Sequence, residues 1–583
     1  MFLLGLISFF QVVFIPGFVF LKLGKFDMTQ RIRALVYSFA LSLLINYLVV
    51  FMLTAIGIYT PVAIYSLVIL EILLIIYIFI KKLPAPVVEK TCSTCRNGSY
   101  SLSYLLLLIL SIAMLLVYFA LFLAKSGSVF KYLDAVFGWN RFALDWCANR
   151  FPTMTWNYPQ VIPTNWSLTY VIMQSSNLQF FARSLMGLFP IATMLLFLDL
   201  GLKKRQPLYF SALIIYGGIL GYFYFPDFIS AGYVDIAVAF FGFLSFYTLH
   251  CRENDLPEQK DILFAVIFAS TGAVVKQAGL FILFIILVWI AVKLFARKQD
   301  LTSAKLKKII ISMVLPVLLI TCSWYIFKQV QIAKGFDRSE VAHVTQNVHS
   351  DRTYPERFAH GLMYIIDIRP GYPVRFFLYI AAVLLFAALA DKRSRYMTLF
   401  IVLPYTILWG FFFSYSHRNL TLVFPFMGYS LAAGTVFLLD KAVKIREKLP
   451  AAVLRGRYVA AFLLIAAVIL HFTVFDKEEV IAAQIKQQKK IGSPQLNALL
   501  YKYKRQKGLE GKIYSDYPYL QVLPELKKYR TTDRKDTALN YFLFDTQKAG
   551  DQWKEVKQKI NAGQYAMLFA CGRYRFLKIN HRK

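Results

Sequence analysis

Acidic residues are scarce in this chain of 583 residues. Asp and Glu together number 32 against 65 Lys and Arg, and no Glu occurs between residues 90 and 252. Cysteine is also rare, and among the six cysteines only Cys92 and Cys95 form a close pair, CSTC. A structural zinc site needs four ligands, so a pair without a second pair nearby argues against one. The chain also lacks a nucleotide-binding loop, a Ser/His/Asp signature and internal repeats, which argues against the protein classes that these patterns mark.

What the chain has in abundance is long apolar runs, which recur from the first residue to about position 475. Hydrophobic residues make up 58% of the sequence, and the runs are apolar on every side, which suits lipid on one face and packed helices on the other. This pattern predicts an all-α polytopic membrane protein. The opening run has no basic segment before it and no small-residue cleavage site, so we interpret it as a span and not as a signal peptide. Hydropathy predicts fourteen spans, at 2–21, 34–57, 62–80, 103–124, 180–200, 208–225, 231–250, 261–275, 279–296, 309–328, 376–390, 396–413, 420–440 and 458–475.

The distribution of basic residues predicts the orientation of these spans. Lys and Arg cluster after the first, third, fifth, ninth, eleventh and thirteenth spans, whereas the short loops 57–61 and 224–233 contain neither residue. Short cytoplasmic loops are enriched in Lys and Arg. We therefore expect a multi-pass protein of the plasma membrane whose N-terminus, first long loop (131–167) and C-terminal tail are all extracytoplasmic.

The composition changes at Asp476, where the apolar spans end. The tail has a helical start, short β-like runs near 512–523, 565–572 and 574–579, and a polar helical stretch around 546–562. We therefore predict two domains, a transmembrane domain 1–475 with an outer loop 125–179 and a soluble extracytoplasmic α/β domain 476–583. The Lys and Arg of the tail are interpreted either as a solvated surface or as a surface that attracts anionic headgroups or an anionic cell-surface polymer.

The few acids on the predicted outer side are the first candidates for chemistry. Between residues 90 and 252 they are Asp134, Asp145, Asp227 and Asp235. A helix over 134–146 would present Asp134 at the entrance of the loop and lie flat in the headgroup layer with an aromatic face of Trp139, Phe142 and Trp146. Asp134 is then either a helix N-cap or a catalytic carboxylate. Arg141 and Asp145 are spaced to pair with each other.

The segment NYPQVIPTNWS follows this helix. Its Pro159 and Pro163 prevent a regular helix through both, which predicts a turn before the next span. Asn165 and Trp166, with Ser167, could bind a sugar by hydrogen bonding and stacking, or could be interfacial anchors. Trp139 and Tyr158 are further candidates for binding a sugar or an acceptor.

The order of several short motifs resembles the GT-C superfamily of glycosyltransferases that use polyprenyl-phosphate sugars, which includes protein O-mannosyltransferases and the aminoarabinose transferases of lipid A. The motifs cover roughly residues 100–440 and are D-A-x-x-x-W from Asp134, Y-P-x-x-I-P from Tyr158, G-Y-x-D from Gly232 to Asp235, K-Q-A-G-L from Lys276, and the Arg418 of SYSHRNLTLVFPF.

The resemblance implies that an acid in the first outer loop, here Asp134, is the catalytic base or a carboxylate linked to a divalent cation such as Mg²⁺ or Mn²⁺. Many relatives have a second acid beside it, where this chain has Ala135 and Phe137, and this difference disfavours a tightly bound metal. The second carboxylate would then be Asp235 or Asp227.

The chemistry of the expected reaction gives roles to two cations. Transfer from a polyprenyl-phosphate sugar expels a phosphate, which is a good leaving group, so the main needs are a base for the acceptor hydroxyl and cations for the phosphate. Lys276 and Arg418, each at a predicted outer helix end, suit the second need. Lys276 could instead extend to the outer headgroups.

These expectations describe a membrane glycosyltransferase, either a hexosyl- or a pentosyltransferase. Its donor would be a polyprenyl-phosphate sugar, and its acceptor would be an extracytoplasmic glycan, lipid or protein. It would contact membrane lipids, and we expect no nucleic acid as a partner. A multi-pass transporter or lipid flippase is the alternative, although such proteins generally place ionisable groups near the middle of the membrane. An inactive protein descended from such an enzyme is a third interpretation.

Overall fold

The computed structural model divides into two compact units. The membrane unit comprises Met1–Ser128 and Phe142–Thr473, and the C-terminal unit comprises Val129–Arg141 and Val474–Lys583. The structure describes residues 2–26, 28–81, 102–125, 130, 134–152, 155, 158–176, 179–224, 232–250, 258–296, 302–335, 353–359, 384, 386–413, 417–445, 494–515, 517, 520, 530–531, 538–546 and 550–580.

The described part of the membrane unit is mostly helical. Its α-helices are α1 Phe2–Val13, α2 Ile15–Leu23, α3 Arg31–Ala55, α4 Pro61–Ile80, α5 Leu102–Lys125, α6 Asn140–Cys147, α7 Val161–Met173, α8 Phe180–Lys204, α9 Pro207–Tyr224, α10 Asp235–His250, α11 Gln259–Val275, α12 Gly279–Ala296, α13 Ser303–Pro316, α14 Ser323–Ala333, α15 Lys392–Tyr396, α16 Leu403–Phe412 and α17 Phe424–Ile445. Short π-helical segments precede α6, α14 and α16, and a 3-10 helix, His417–Val423, precedes α17.

Many of these helices are membrane-spanning candidates. Among the described residues, eight helical segments are long and apolar enough to cross a membrane, or nine if the bent pair α1–α2 is one span. Each coincides with a predicted span. The helices at the predicted spans 208–225, 231–250 and 261–275 do not reach that length and hydropathy. The predicted spans 376–390 and 458–475 lie mostly or wholly outside the described residues. The described residues therefore confirm a polytopic membrane protein but not the count of fourteen spans.

Burial separates central helices from peripheral ones. Every residue of α7 is buried, and so is every residue of α10 from Asp235 to Leu249. In contrast, α4 and α5 expose most of their apolar side chains, as expected for helices that face lipid. Helices α7 and α10 therefore lie in the interior of the membrane unit.

Helix α7 corrects the predicted turn around the two prolines. Pro159 lies before the helix, whereas Pro163 lies in its first turn, where the missing N–H removes no intrahelical bond. The helix ends at Gln174, which adopts a left-handed conformation with φ of 49°. The two prolines thus bracket the start of a helix.

The predicted helix over 134–146 exists, but its first part is π-helical, from Ala135 to Trp139, and α6 continues it. The predicted position of its aromatic face in the headgroup layer is wrong. Phe142 and Trp146 are buried, and the Trp146 ring packs against Phe151 with the centroids 5.2 Å apart. The expected pairing of Asp145 is also corrected, because its carboxylate accepts from Arg150, with 2.5 Å between Nη2 and Oδ1.

The C-terminal unit contains the predicted α/β domain. Its elements are α18 Pro494–Lys507, β1 Lys512–Ser515, β2 Arg530–Thr531, β3 Leu539–Asp545, α19 Gly550–Asn561, β4 Tyr565–Cys571 and β5 Tyr574–Ile579. The sheet order is β2-β1-β3-β5-β4, with β1 parallel to both of its neighbours and β5 antiparallel to β3 and β4.

Both faces of this sheet are covered. Ile513, Leu543 and Phe576 belong to one core cluster, with Leu500 of α18, whereas Phe542 and Leu577 pack with Val556 of α19. The strands β1, β4 and β5 and helix α19 confirm the β-like and helical runs predicted in the tail. Helix α18 and strand β3 were not predicted, and the predicted helical start at 478–490 lies outside the described residues.

Candidate functional site

Lys276 lies at a break between two helices. Helix α11 ends at Val275, Lys276 is extended with φ of −157° and ψ of 151°, and α12 begins at Gly279. The Gly279 amide donates to the Lys276 carbonyl at 2.9 Å, which closes a tight turn. A Cβ on Gly279 would lie 2.2 Å from the carbonyl oxygen of Gly272. Only glycine fits this contact, which explains why the K-Q-A-G spacing holds Lys276 at the junction of the two helices.

Asp235 faces this lysine from the start of α10. The Lys276 ammonium donates to Asp235 Oδ1 at 2.5 Å, and the two side chains are 14% and 8% exposed. A carboxylate at the first residue of a helix also lies at the positive end of the helix dipole. Asp235 is therefore stabilised by a buried cation and by its own helix, which offset the cost of burying its charge.

Asn419 is the second partner of Lys276. Its Oδ1 accepts from the Lys276 ammonium at 2.9 Å, and its Nδ2 donates to the Phe413 carbonyl at 3.3 Å. The Tyr405 hydroxyl of α16 donates to the Asn419 carbonyl at 3.0 Å. Asn419 therefore fixes the position of the ammonium and is itself held by two contacts.

Arg418 is adjacent to this group. Its guanidinium carbon lies 4.5 Å from the centroid of the Tyr233 ring, a cation–π contact. Tyr233 precedes Asp235 by two residues and follows Gly232, whose φ is +76°. The G-Y-x-D motif thus has a structural meaning, because its Tyr contacts Arg418 and its Asp pairs with Lys276. We call Tyr233, Asp235, Lys276, Arg418 and Asn419 the Lys276 cluster.

The structure thus brings together three residues predicted from the sequence, Asp235, Lys276 and Arg418. Asn419 and Tyr233 were missed as site residues, although each lies inside a motif that was noticed. A buried ammonium with two fixed acceptors can bind one more oxygen, because it has three N–H groups. The Lys276 ammonium can therefore also donate to an anionic oxygen, and the Arg418 guanidinium on the Tyr233 ring is a second cation of the cluster.

Asp134 belongs to the C-terminal unit, whose segment Val129–Arg141 contains it. The structure makes Asp134 itself helical, with φ of −66° and ψ of −34°, and records no side-chain capping bond from it. Asp134 thus lies directly before the π-helical segment, as predicted for an N-cap, but its side chain makes no capping bond. Its role as a catalytic base stays a prediction. Asp227, the other candidate acid, lies outside the described residues.

The predicted sugar-binding residues Asn165 and Trp166 lie inside the packed membrane unit. Both side chains are fully buried in α7. The Asn165 amide donates to the carbonyls of Leu43 and Val161 at 2.9 and 2.7 Å, and its oxygen accepts from Asn46 at 3.3 Å. These positions correct the expected location at the membrane surface, because the amide is committed to joining α7 to α3.

The other two aromatic candidates have different environments. Trp139 ends the π-helical segment and is 6% exposed. Tyr158 is half-buried, and its amide donates to the Thr155 carbonyl at 2.9 Å. Their roles in binding a sugar or an acceptor stay predictions.

Metal-binding side chains are not grouped in the described ranges. Within them, no cluster of three or more His, Cys, Asp or Glu side chains occurs. The CSTC pair lies outside the described residues. A divalent cation at Asp134 therefore stays an expectation from the resemblance.

A second charged cluster lies at the other end of α10. Asp199 of α8 accepts from Lys203 and from the Tyr247 hydroxyl. Lys203 also donates to Gln30 Oε1 at 2.7 Å and to the Tyr247 oxygen at 3.1 Å. Beside it, Arg33 pairs with Asp261 at 3.3 Å. We call Asp199, Lys203, Tyr247 and Gln30 the Lys203 cluster.

Compared with protein-family models and with curated proteins, the chain matches none. The resemblance to GT-C glycosyltransferases therefore rests on the short motifs and on their order along the chain.

Proposed function

We propose that this protein is a membrane glycosyltransferase that transfers a sugar from a polyprenyl-phosphate donor to an extracytoplasmic acceptor. The observation that carries the proposal is the Lys276 cluster, in which residues 41 and 143 positions away in sequence converge on one buried ammonium. In this proposal the cluster lies at the extracytoplasmic side of a multi-pass plasma-membrane protein. The fourteen predicted spans and the extracytoplasmic C-terminal domain belong to the same proposal.

The cations bind the phosphate of the donor. Lys276 uses two of its three N–H groups on Asp235 and Asn419, and the third donates to a phosphate oxygen. Arg418 contacts the phosphate with its planar fork, while the Tyr233 ring supports its guanidinium. Asp235 positions Lys276, and its negative charge offsets part of the local positive charge when no donor is bound.

The reaction itself needs one base. Asp134 takes the proton of the acceptor hydroxyl, whose oxygen forms the new bond to the anomeric carbon of the sugar. The bond between that carbon and the phosphate oxygen breaks, and the electron pair leaves with the polyprenyl phosphate. Lys276 and Arg418 stabilise the charge that develops on this leaving group.

The experiment separates donor binding from transfer. Purified protein is mixed with undecaprenyl phosphate and then with a panel of hexosyl and pentosyl undecaprenyl phosphates plus a membrane extract as acceptor. Arg418→Gln removes a charged contact worth about 1.5–3 kcal/mol, so we expect undecaprenyl phosphate to bind roughly 10- to 150-fold more weakly. Asp134→Asn should keep this binding and lose transfer.

A matched control is Arg150→Gln. Arg150 is also an arginine, but it lies in the predicted first outer loop, and its side chain is 69% exposed and pairs with Asp145. We expect this variant to bind donor and to transfer sugar like the unaltered protein. Equal binding by the Arg418→Gln variant and the unaltered protein would remove Arg418 from the donor site, and transfer by the Asp134→Asn variant would remove Asp134 from the base role.

A transporter or lipid flippase is the second candidate, and one observation favours it. Glu71 is buried in the middle of the membrane-spanning helix α4, and ionisable residues within spans often mark transport pathways. Movement of an unmodified lipid-linked sugar across proteoliposome membranes, without release of polyprenyl phosphate, would support this candidate against the transferase.

A further inference from the structure

Glu71 occupies an unusual position for an acid. Helix α4 runs from Pro61 to Ile80 and is a membrane-spanning candidate with mean hydropathy of 2.7. Most of its side chains are exposed or half-buried, and its buried side chains are Ile64, Val68, Glu71 and Ile78. Glu71 is 7% exposed. The carboxyl group therefore points into the protein halfway along an otherwise apolar helix.

The Gln11 side chain of α1 is a polar neighbour of this carboxyl group. Gln11 is fully buried. Among the described residues, neither Glu71 Oε2 nor Gln11 Oε1 has a hydrogen-bond partner. Both atoms are acceptors when Glu71 is ionised, so neither of these two oxygens can donate to the other.

Among the helices that the structure describes around Glu71, none places a cation beside its carboxyl group. Helix α4 packs mainly against α2 and α7. Helix α7 contains no charged residue, and neither does α1, which carries Gln11. The one cation of α2 is Lys22, in its last turn, eleven residues beyond Gln11 and hence about 16 Å along the helices. The other ionisable residues of α4 and α7 are Tyr65, Tyr77 and Tyr170, and none of them carries a positive charge.

The polar contacts continue beyond Gln11. The Gln11 amide nitrogen is 3.5 Å from Asn46 Oδ1, and Asn46 in turn donates to Asn165 Oδ1 at 3.3 Å. Asn46 also donates to the Gln11 carbonyl at 3.2 Å, just before α1 and α2 meet at a bend of 43°. Pro16 lacks the N–H that would otherwise bond to a carbonyl of this turn. Glu71 thus ends a buried polar chain that runs through α1, α3 and α7 beside a broken helix.

From this geometry we infer that Glu71 is a proton-binding site in the membrane interior, whose carboxyl group is protonated at neutral pH and donates to the Gln11 amide oxygen. A single proton supplies the donor that both oxygens lack. It also removes the cost of an ionised carboxylate in an apolar interior without a counter-ion. This inference is independent of sugar transfer, because Glu71 lies outside the Lys276 cluster.

Infrared spectroscopy of the purified protein tests the inference. The detergent must contain no ester groups, because their carbonyl band would overlap that of a protonated carboxyl group. At neutral pH we expect the unaltered protein to show a protonated-carboxyl band that Glu71→Gln abolishes. The control is Glu555→Gln, which alters an exposed acid paired with Lys559 at 2.6 Å and should leave the band intact. If the unaltered protein and the Glu71→Gln variant give the same spectrum in the region of the protonated-carboxyl band, the inference is wrong.

A second variant tests the partner of the proton. Gln11→Leu removes the acceptor, so the carboxyl band should remain and move to the higher frequency of a carboxyl group without a hydrogen bond. An unmoved band would overturn the assignment of Gln11 as acceptor.

Thermal unfolding distinguishes a proton bound at Glu71 from a metal cation bound there. For the unaltered protein and for the Glu71→Gln variant, the unfolding temperature should not depend on whether the salt is that of Na⁺, K⁺ or choline. If Na⁺ or K⁺ raises the unfolding temperature of the unaltered protein and not that of the Glu71→Gln variant, the site binds a metal cation and the inference is wrong.

Discussion

A buried acid paired with a lysine lies near each end of helix α10, but the two lysines differ in how their N–H groups are used. At the last turn, Lys203 donates to Asp199, Gln30 and Tyr247, which accounts for all three N–H groups of an ammonium. At the first residue, Lys276 has two recorded partners, Asp235 and Asn419. A saturated ammonium joins helices, whereas an ammonium with one N–H to spare can also bind a ligand.

The backbone around the two lysines also differs. Lys203 continues a regular helix and pairs with an acid four residues earlier, which helix geometry alone places within reach. Lys276 has an extended backbone and lies between two helices, and the close contact of Gly279 with the Gly272 carbonyl holds this break in place. Extended backbone between helices inside a membrane protein is tolerated where protein neighbours or a wet cavity satisfy its polar groups. This difference is why we assign the ligand to the Lys276 end.

The variant Lys276→Met should have the largest effect. It leaves the Asp235 carboxylate buried without its partner, and breaking a buried pair in this way costs about 3–5 kcal/mol. We expect a clear fall in the unfolding temperature of the purified protein and complete loss of sugar transfer.

A double variant separates the two effects. In Asp235→Asn with Lys276→Met, no buried charge is left unpaired, so most of the stability should return while transfer stays absent. If the double variant is as unstable as Lys276→Met, the buried carboxylate is not the cause of the loss. If either variant transfers sugar, Lys276 does not bind the donor.

The variant Gly279→Ala should have the next largest effect. Its Cβ would lie 2.2 Å from the Gly272 carbonyl oxygen, so the turn that holds Lys276 must shift. Overpacking of this kind costs about 1–3 kcal/mol, and transfer should fall because the ammonium moves away from Asn419. The control is Gly221→Ala in α9, where the nearest atom to an added Cβ is the Tyr118 hydroxyl oxygen at 3.8 Å. Unfolding temperature and transfer would be measured for both variants, and equal values for both would show that the turn tolerates a side chain.

Much of the architecture could be predicted from the sequence because it depends on local patterns. Each of the eight helices that can cross a membrane coincides with a predicted span, since hydropathy acts over about twenty neighbouring residues. Strands β4 and β5 were also visible as short apolar runs. Helix α7 was missed because two prolines suggested a turn, whereas one of them lies in the first turn of the helix, where proline is tolerated.

The site could be predicted only in part. Asp235 was predicted because acids are scarce on the predicted outer side, and Lys276 and Arg418 because they lie in motifs that resemble those of GT-C glycosyltransferases. Asn419 was missed, since a neutral residue beside an Arg gives no signal until the fold places it 2.9 Å from the Lys276 ammonium. The burial of Glu71 was missed for a similar reason, because the face that α4 turns toward α2 and α7 depends on tertiary packing.

The smallest effect should come from Lys203→Met, which alters the other end of α10. The Lys203 side chain is 26% exposed, and Asp199 would keep the hydrogen bond from the Tyr247 hydroxyl. Pairs with this exposure contribute roughly 1 kcal/mol, so the unfolding temperature should fall by less than in Lys276→Met, and sugar transfer per folded molecule should not change. Both quantities would be measured on the same preparations. Loss of transfer in the Lys203→Met variant would show that Lys203 takes part in sugar transfer. The assignment of the ligand to the Lys276 end would then be wrong.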